Sequence, residues 1–260
     1  MVSVPVTVKV ESAEAAADWL APMRARSYAL LQLRPGDSVL EVGCGAGQAT
    51  LALHQLVGFG GEVRGVDQDG ALVAEAERRA AEAGLARQVR HQRADAGALP
   101  FEAGYFDGSR SERLFQHLAR PELALREMVR VTRPGGWIVV LDVDYGSLSL
   151  DTPERTSERR LTRFNAERLH LNGYAGRGLY RLFRRQGLAD LTVEIWPLCL
   201  TRYADARQLL QLDRLEAHAV GEGLLTAGEL QLWRAALERA DAEGCFFASL
   251  NLGLVAGRLR

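Results

Sequence analysis

Residues 38–47 read Ser-Val-Leu-Glu-Val-Gly-Cys-Gly-Ala-Gly, an apolar run that contains one acid and ends in three closely spaced glycines. The segment Ser38–Val42 predicts a buried strand, and Gln48–Val57 predicts the helix that follows it. Glycines at such a junction permit a tight turn and let backbone amides approach a ligand without a Cβ in the way. The stretch therefore predicts a ligand-binding loop between the first strand and first helix of an α/β fold.

The spacing of these glycines separates the loop from the dinucleotide-binding fingerprint. In G-x-G-x-x-G the third glycine would fall at Gln48, whereas the glycines here are Gly43, Gly45 and Gly47. An acid, Glu41, lies two residues ahead of the first glycine. The mismatch weighs against an NAD-dependent oxidoreductase.

Strand and helix patterns alternate along the rest of the chain, which predicts a parallel sheet covered by helices on both faces. The further predicted strands are 62–67, 88–94, 105–109, 137–142, 191–196 and 246–256. The further predicted helices are 71–83, one that opens at Pro121, 151–170, 178–187, 204–221 and 226–244. The segment 133–136, Arg-Pro-Gly-Gly, is predicted to be a turn.

Acidic residues accompany three of these predicted strands. Asp67 ends the second strand about 20 residues beyond the loop, where a carboxylate can accept hydrogen bonds from both ribose hydroxyls of a nucleoside. Asp95 follows the third strand, where its carboxylate can receive an adenine amino proton while the amide of Ala96 donates to the ring. Together with Phe106-Asp107 at the fourth strand, these acids are predicted to line one crevice of the sheet. Each alone would equally suit a surface turn or a helix cap.

The segments 41–47, 66–67, 94–101, 106–107 and 133–136 together resemble the motifs of class I S-adenosylmethionine-dependent methyltransferases. The likeness is strongest to the ubiquinone/menaquinone-biosynthesis-type and natural-product enzymes that act on small molecules. It covers about residues 33–142, with weaker support at 182–188. It implies an α/β, Rossmann-like sheet of seven strands in the order 3-2-1-4-5-7-6, with strand 7 antiparallel, helices on both faces and a helical lid.

The resemblance also implies S-adenosylmethionine as the cofactor and S-adenosylhomocysteine as its product. Glu41 and the loop residues Gly43, Cys44, Gly45 and Gly47 would hold the methionine part of the cofactor. The other implied contacts are Asp67 to the ribose, Gln68 beside the adenine, Asp95 and Ala96 at the adenine edge, and the backbone of Ser111 at the methionine.

A single methyltransferase domain is expected over residues 1–260. Its expected parts are an N-terminal lid helix region (1–33), a cofactor-binding core (34–146), a lid insertion (147–187), and C-terminal strands 6 and 7 with inserted helices (188–260). Trp19, Met23 and Tyr28 are candidates for an aromatic lid stripe, although such a stripe is more often part of a core.

One segment departs from the family pattern. Residues 108–113 read Gly-Ser-Arg-Ser-Glu-Arg, where relatives have an apolar strand, so Arg110, Glu112 and Arg113 are unusually polar for this place. Glu112 and Arg113 either form a wall of the substrate pocket or pair with each other or with the lid. The departure concerns the substrate pocket and leaves the cofactor assignment unchanged.

The predicted reaction is an in-line displacement at a sulfonium carbon, so the protein mainly supplies positioning and, for some acceptors, a base. His117 follows the fourth strand and is the leading base candidate, with packing or capping at the next helix as the alternative. Asp142 and Asp144 alternate along the fifth strand, which puts both side chains on one side. Either acid would orient His117, bind a polar substrate, or simply cap a turn.

Composition narrows the class of partner. The 32 Lys+Arg and 33 Asp+Glu residues give a net charge of −1 without a basic patch, which disfavours nucleic acid. Neither the three cysteines nor the five histidines show metal-ligand spacing, so no metal is expected. Residues 1–9 lack the basic and long apolar segments of a signal peptide, and no run of about 18 apolar residues is found, so a cytoplasmic protein without membrane contact is expected. A monomer or homodimer acting on a small-molecule acceptor is expected.

Two alternatives to small-molecule methylation stay open at this point. The same fold could bind the cofactor without transferring a methyl group, because cofactor binding and catalysis use different positions. An RNA- or protein-directed methyltransferase is the second alternative. It is disfavoured because an Asn-Pro-Pro-Tyr-type motif after the fourth strand is absent from the sequence.

Overall fold

The computed structural model describes residues 8–10 and 19–260. The rest of the predicted N-terminal lid region, 1–7 and 11–18, lies outside the described residues. The strands are β1 Val8–Val10, β2 Ser38–Val42, β3 Glu62–Asp67, β4 Val89–Arg93, β5 Phe106–Glu112, β6 Thr132–Leu150, β7 Ala189–Leu200 and β8 Ala248–Arg258. The helices are α1 Ala21–Leu30, α2 Gln48–Val57, α3 Gly70–Glu82, α4 Pro121–Val131, α5 Arg155–Phe164, α6 Ala175–Arg185, α7 Tyr203–Leu209, α8 Leu212–Gly221 and α9 Ala227–Ala242.

These strands form one sheet in the order β4-β3-β2-β5-β6-β8-β7-β1. Numbered along the chain from β2, the order is 3-2-1-4-5-7-6, which confirms the predicted topology. The short strand β1 adds an eighth member by pairing in parallel with residues 198–200 of β7. Strands β2 to β6 pair in parallel with their neighbours, so their carboxyl ends meet at one edge.

Strand β8 runs antiparallel to β6. The amide of Gly135 donates to the carbonyl oxygen of Leu259 at 2.7 Å, and the amide of Leu259 donates to that of Gly136 at 2.9 Å. At the opposite end of β6, the amide of Asp151 donates to the carbonyl oxygen of Phe247 at 2.9 Å. The start of one strand therefore meets the end of the other. This pairing explains why the turn predicted at 133–136 is wrong: the segment belongs to β6.

Two further local predictions are wrong. The helix predicted at 204–221 is two helices, α7 and α8, because Gln211 adopts a left-handed conformation with φ of 52° between them. The helix predicted at 151–170 begins only at Arg155, beyond Pro153, and passes into a π-helical turn at Asn165–Leu169. A proline disfavours helical conformation in the residue before it, which accounts for the late start.

The chain divides into two compact units. The glycine-loop unit comprises Met23–Asp142, Gly178–Glu194 and Leu254–Arg260. Its core holds fully buried apolar residues from β2, β5 and α4, among them Leu40, Phe106 and Met128. The helical unit comprises the described residues of Met1–Pro22, Val143–Arg177 and Ile195–Gly253, with α5 and α7 to α9. The predicted site residues from Glu41 to Asp142 all lie in the glycine-loop unit.

Candidate cofactor and methyl-transfer site

The glycine loop between β2 and α2 is shaped by its backbone. Gly43, Gly45 and Gly47 have φ values of 77°, 51° and 82°, a region that side-chain-bearing residues rarely adopt. The amides of Gly43 and Cys44 both donate to the carbonyl oxygen of Val66, at 2.8 and 2.9 Å. The loop is thereby fixed to the carboxyl end of β3, next to Asp67.

The three glycines differ in what surrounds them. A Cβ on Gly43 would lie 3.0 Å from the Cβ of Leu114, and one on Gly47 would lie 2.9 Å from the Cβ of Ala76. A Cβ on Gly45 would meet no atom within 4 Å. The loop is therefore packed against protein at its two ends and open at Gly45, as a cradle for a ligand requires.

Cys44 lies within the loop as a packing residue. Its side chain is buried, and its Sγ would be 3.0 Å from a Cβ on Gly65. Burial raises the pKa of its thiol above the ordinary range. A thiol held neutral in this way is a small apolar side chain, so only the backbone of Cys44 is available to a ligand.

Asp67 lies beside the open part of the loop and bonds to its backbone. Its Oδ2 accepts a hydrogen bond from the amide of Gly45 at 2.9 Å, and its Oδ1 accepts one from the amide of Asp69 at 3.0 Å. Each carboxylate oxygen retains acceptor capacity beyond one bond. The exposed residue Gln68 follows, and its carbonyl oxygen accepts a bond from Nε of Arg93 at 2.9 Å.

Asp95 and Ala96 form a turn after β4. Oδ1 of Asp95 accepts a hydrogen bond from the amide of Gly97 at 2.8 Å, and its carbonyl oxygen accepts one from Ala98 at 3.0 Å. The Asp95 side chain is exposed and Ala96 is buried. The turn holds the carboxylate at the same sheet edge as the loop. This position suits the predicted contact with adenine, which stays a prediction.

Asp107 does not lie at this edge, contrary to prediction. It is at the start of β5, where its Oδ2 accepts a hydrogen bond from the amide of Ser38 at 2.6 Å and its Oδ1 pairs with Arg133 at 2.5 Å. Ser38 begins β2, so Asp107 joins the amino ends of two parallel strands. Its carboxylate stabilises the sheet at the end opposite to the crevice.

Glu41 and Arg110 form a buried ion pair at the centre of the sheet. They are register partners across β2 and β5, and Nη1 of Arg110 lies 2.6 Å from Oε1 of Glu41. Both side chains are essentially inaccessible to solvent. Burial raises the pKa of Glu41 to about 7, and the guanidinium of Arg110 keeps it from rising further. Oε2 of Glu41 is buried and has no hydrogen-bond partner among the described residues.

The polar segment 108–113, most of which belongs to β5, contains further ion pairs. Glu112 pairs with Arg110 at 2.7 Å and with Arg24 of α1 at 2.7 Å, and it does not pair with Arg113. Helix α1 lies within the predicted lid region 1–33, so this pairing agrees with the lid alternative. Ser111, which lies between Arg110 and Glu112 in the sequence, is buried, and its Oγ is without a hydrogen-bond partner in the part of the chain that the structure describes.

The candidate base His117 lies on a short turn beyond β5. A single turn of 3-10 helix spans Phe115–His117, and the imidazole of His117 is partly buried. Nε2 of His117 lies 3.2 Å from the side-chain nitrogen Nε2 of Gln116, which can only donate, so the neutral ring that accepts this bond has its proton on Nδ1. Partial burial and the charge of Arg113 lower the pKa of His117 below its ordinary value of 6.5.

Asp142 is hydrogen-bonded to the backbone of the turn Phe115–His117. Its Oδ2 accepts hydrogen bonds from the amides of Phe115 at 2.7 Å and Gln116 at 3.4 Å, and the side chain is fully buried. Asp142 therefore stabilises the backbone turn that includes His117 and is bonded to that backbone. The predicted direct catalytic role of either residue stays a prediction.

Sequence reasoning missed the backbone strain at Arg113. This residue has φ of 51°, its amide donates to the carbonyl oxygen of Leu141 at 2.9 Å, and its own carbonyl accepts from Nε2 of Gln116 at 3.0 Å. Left-handed arginine is costly and persists only when its surroundings impose it. Nothing in the residue type at 113 signals this conformation.

The helical unit contains its own polar cluster. Asp144 pairs with Nε of Arg177 at 2.7 Å, and the guanidinium of Arg177 lies 5.1 Å from the ring centre of Tyr174. Tyr145 and His170 stack with ring centres 3.6 Å apart. Asp142 and Asp144, predicted together, therefore have separate partners. Within the described residues no group of His, Cys, Asp and Glu is arranged to hold a metal ion.

Comparison with known proteins places these features in a family. Residues 40–140 match the model of a methyltransferase domain. An uncharacterised 37.1 kDa protein of a Streptomyces fradiae transposon is 36% identical over 239 residues, which is 90% of this chain and 67% of that protein. A ubiquinone/menaquinone biosynthesis C-methyltransferase of Azotobacter vinelandii is 36% identical over 118 residues, 45% of this chain and 47% of the relative. The match to this curated enzyme thus spans about half of its length.

A solved structure has the same fold. The geranyl diphosphate C-methyltransferase of Streptomyces coelicolor, in complex with Mg²⁺, geranyl diphosphate and S-adenosylhomocysteine, superposes with a TM-score of 0.60. The likeness covers 96% of this chain and 84% of that chain at 19% sequence identity. No helix among residues 8–10 and 19–260 has the length and apolar character to span a membrane.

Proposed function

Because this chain belongs to the class I S-adenosylmethionine-dependent methyltransferases, we propose that it methylates an oxygen, nitrogen or carbon atom of a small molecule. The acceptor would be a quinone precursor or a secondary metabolite. The observation that carries the proposal is the loop open at Gly45, with the Asp67 carboxylate bonded to the Gly45 amide beside it.

The residues present fit the cofactor. Glu41 offers a buried carboxylate oxygen without a partner among the described residues, which suits an ammonium group. Gly45 offers open space where any Cβ would intrude on a ligand. Asp67 offers acceptors for ribose hydroxyls, and Asp95 with the amide of Ala96 offers one acceptor and one donor for adenine. Gln68 and the backbone of Ser111 complete the proposed contacts.

When bound, the cofactor supplies a methyl group on a positively charged sulfur that is already an activated leaving group. The chain's own residues then need only to place the acceptor and, for an oxygen or nitrogen acceptor, to remove a proton. His117 would take up that proton at Nε2, displacing the weak contact from Gln116. Asp142 would keep the imidazole in position through the Phe115 amide.

The proposed acceptor is a small molecule because the chain lacks the charge excess of a polymer-binding protein. Arginines are paired with acids over much of the described surface, for example Arg78 with Glu75 and Glu82 on α3. Phosphate-binding surfaces instead leave clusters of arginine and lysine unpaired.

Calorimetric titration of the full chain with S-adenosylmethionine, S-adenosylhomocysteine and NAD tests the cofactor. We expect micromolar binding of the first two, no binding of NAD, and at least about tenfold weaker binding in Asp67→Ala, because charge-assisted hydrogen bonds are lost. Glu82→Ala, at an exposed position on α3, is the matched control and should bind as the wild type does. Failure of the wild type to bind S-adenosylmethionine would contradict the proposal.

The acceptor class is tested with methyl-labelled S-adenosylmethionine and a cell extract separated into small molecules, RNA and protein. Label that enters the small-molecule fraction supports the proposal. Label confined to RNA or protein would favour the polymer-directed alternative. Tight cofactor binding without label in any fraction would favour a cofactor-binding protein that does not transfer the methyl group.

A further inference from the structure

Arg110 is an arginine in the middle of a parallel sheet, and each of its three guanidinium nitrogens donates a hydrogen bond. Nη1 donates to Glu41 at 2.6 Å, Nη2 donates to Glu112 at 2.7 Å, and Nε donates to Oγ of Ser27 at 2.8 Å. The ring of Tyr28 covers the guanidinium, with its centre 4.6 Å away. The side chain is 0% exposed. Two strands and helix α1 therefore meet at one cation.

Stability alone does not account for this arrangement. Removing a guanidinium and two carboxylates from water is costly, and apolar residues of similar volume often replace such groups without loss of stability. Central parallel strands are ordinarily filled by apolar side chains, as residues 138–141 of the neighbouring strand β6 are. A buried charge at this position is therefore better explained by something that it holds in place.

The group held in place is Glu41. Its Oε1 is bonded to Arg110, whereas its buried Oε2 has no partner among the described residues. A carboxylate fixed on one oxygen presents the other in a defined direction. Under the proposed function, on which this inference rests, Glu41 is at the methionine end of the cofactor, whose ammonium group is the matching donor.

We propose that Arg110 is a positioning residue for the cofactor, which holds Glu41 as a carboxylate with Oε2 directed to the ammonium group of S-adenosylmethionine. The same guanidinium fixes helix α1 through Ser27, and Glu112 adds a second tie through Arg24. The cofactor's amino-acid end and the N-terminal helix thereby share one anchor.

The charges around Glu41 explain why the anchor has to be a cation. Arg110 and Glu112 face it from β5, Arg24 and Tyr28 face it from α1, and Cys44 lies in its own loop. Burial is the largest influence and raises the pKa of Glu41, and Arg110 is the largest influence that lowers it. Without Arg110 the carboxyl group would stay protonated at neutral pH and would not attract an ammonium group.

The test compares two ligands that differ at the amino-acid end. S-adenosylhomocysteine has the ammonium group, and 5′-methylthioadenosine lacks the whole amino-acid part. For Arg110→Met in the full chain, calorimetry at pH 7.5 should give about 10- to 100-fold weaker binding of S-adenosylhomocysteine, the loss expected for one charge-assisted contact. Binding of 5′-methylthioadenosine should change by less than about threefold. Arg78→Met, on the exposed face of α3, is the matched control and should bind both ligands as the wild type does.

A wild-type pH series provides an independent readout. Between pH 8 and pH 6 the affinity for S-adenosylhomocysteine should fall as Glu41 takes up a proton, while the affinity for 5′-methylthioadenosine should stay constant. Equal affinity changes for both ligands in the variant, or parallel pH curves in the wild type, would overturn the inference.

If thermal unfolding shows that Arg110→Met does not fold, Arg110→Lys takes its place. Lysine keeps the charge but lacks the fork that bonds Glu41, Glu112 and Ser27 together. A loss confined to S-adenosylhomocysteine supports the inference, and a loss for both ligands or for neither overturns it. Failure of the wild type to bind either cofactor form would instead contradict the proposed function.

Discussion

Oγ1 of Thr50 lies 2.8 Å from Nε2 of His91, which ties the helix after the glycine loop to strand β4. The same hydroxyl donates to the carbonyl oxygen of Gly47 at 2.8 Å, so the end of the loop is held as well. Nδ1 of His91 lies 3.0 Å from Oε1 of Glu77 on α3. One buried imidazole therefore links the loop, the sheet and the next helix.

This link makes stability depend on pH. Burial lowers the pKa of His91 below its ordinary value of 6.5, and the Glu77 carboxylate offsets only part of that effect. A base whose pKa is lowered on folding binds fewer protons when folded, so its contribution is present above the unfolded value of 6.5 and is lost as the pH falls through the folded pKa. Urea unfolding should therefore show the free energy of unfolding falling below pH 6.5, and less steeply in His91→Gln.

The matched control for this series is His218→Gln. His218 is exposed on α8, and its variant should give a curve parallel to that of the wild type. A His91→Gln curve that is parallel as well would show that His91 does not titrate with folding.

Two alanine substitutions in the glycine loop should separate stability from binding. Gly47→Ala combines a left-handed backbone with a Cβ 2.9 Å from that of Ala76, and should cost about 2–4 kcal/mol of unfolding free energy. Gly45→Ala meets no protein atom within 4 Å, so it should cost only about 1–2 kcal/mol for the backbone conformation. Gly45→Ala should nevertheless lose most affinity for S-adenosylhomocysteine, because its Cβ fills the open side of the loop. Calorimetry and chemical unfolding of both variants make the comparison, and full affinity in Gly45→Ala would show that the cofactor lies elsewhere.

The loop and the first strands could be predicted from the sequence because local signals agree there. The bounds of Ser38–Val42, Gln48–Val57 and Glu62–Asp67 match the structure residue for residue. Ser38–Val42 is largely apolar, Gln48–Val57 has a helical pattern, and glycines stand at the turns that separate these elements. The strand order was predicted from the resemblance to the family, whose motifs include this loop.

The environment of Arg110 could not be predicted, although its unusual polarity was visible. A charged residue in a strand is normally placed at an exposed position, and only the pairing across β2 and β5 shows that Glu41 lies opposite. The left-handed conformations of Arg113 and Gln211 also lack a sequence signal, because neither residue type favours φ above zero. These features depend on contacts between distant segments, which local patterns do not contain.

Asp142 should prove to be a residue that supports the turn rather than one that reacts. Asp142→Asn retains one acceptor oxygen but loses the charge-assisted bond to the amide of Phe115, which should cost about 1–3 kcal/mol of unfolding free energy. Because the turn carries His117, the ¹H–¹⁵N signals of that imidazole should shift. Asp144→Asn, whose partner is Arg177, is the comparison variant and should leave these signals unchanged. If the signals do not shift in Asp142→Asn, Asp142 does not influence the position of the His117 imidazole.

The last prediction concerns His117 as the proton acceptor. For an oxygen or nitrogen acceptor, His117→Gln should lower kcat by about 10²- to 10⁴-fold while leaving the affinity for S-adenosylhomocysteine unchanged. In the wild type, kcat should fall on the acidic side with a midpoint below 6.5, because burial and the guanidinium of Arg113 lower the pKa of the imidazole. Arg113→Gln removes the nearby positive charge, which makes protonation of His117 easier and moves this midpoint upward. Arg126→Gln on α4 changes the charge equally and should leave the midpoint in place. If kcat of His117→Gln still falls at acidic pH, or if the midpoint does not move in Arg113→Gln, His117 is not the group that removes the proton. The base would then be another residue, or the acceptor would be a carbon that is acidic enough to need none.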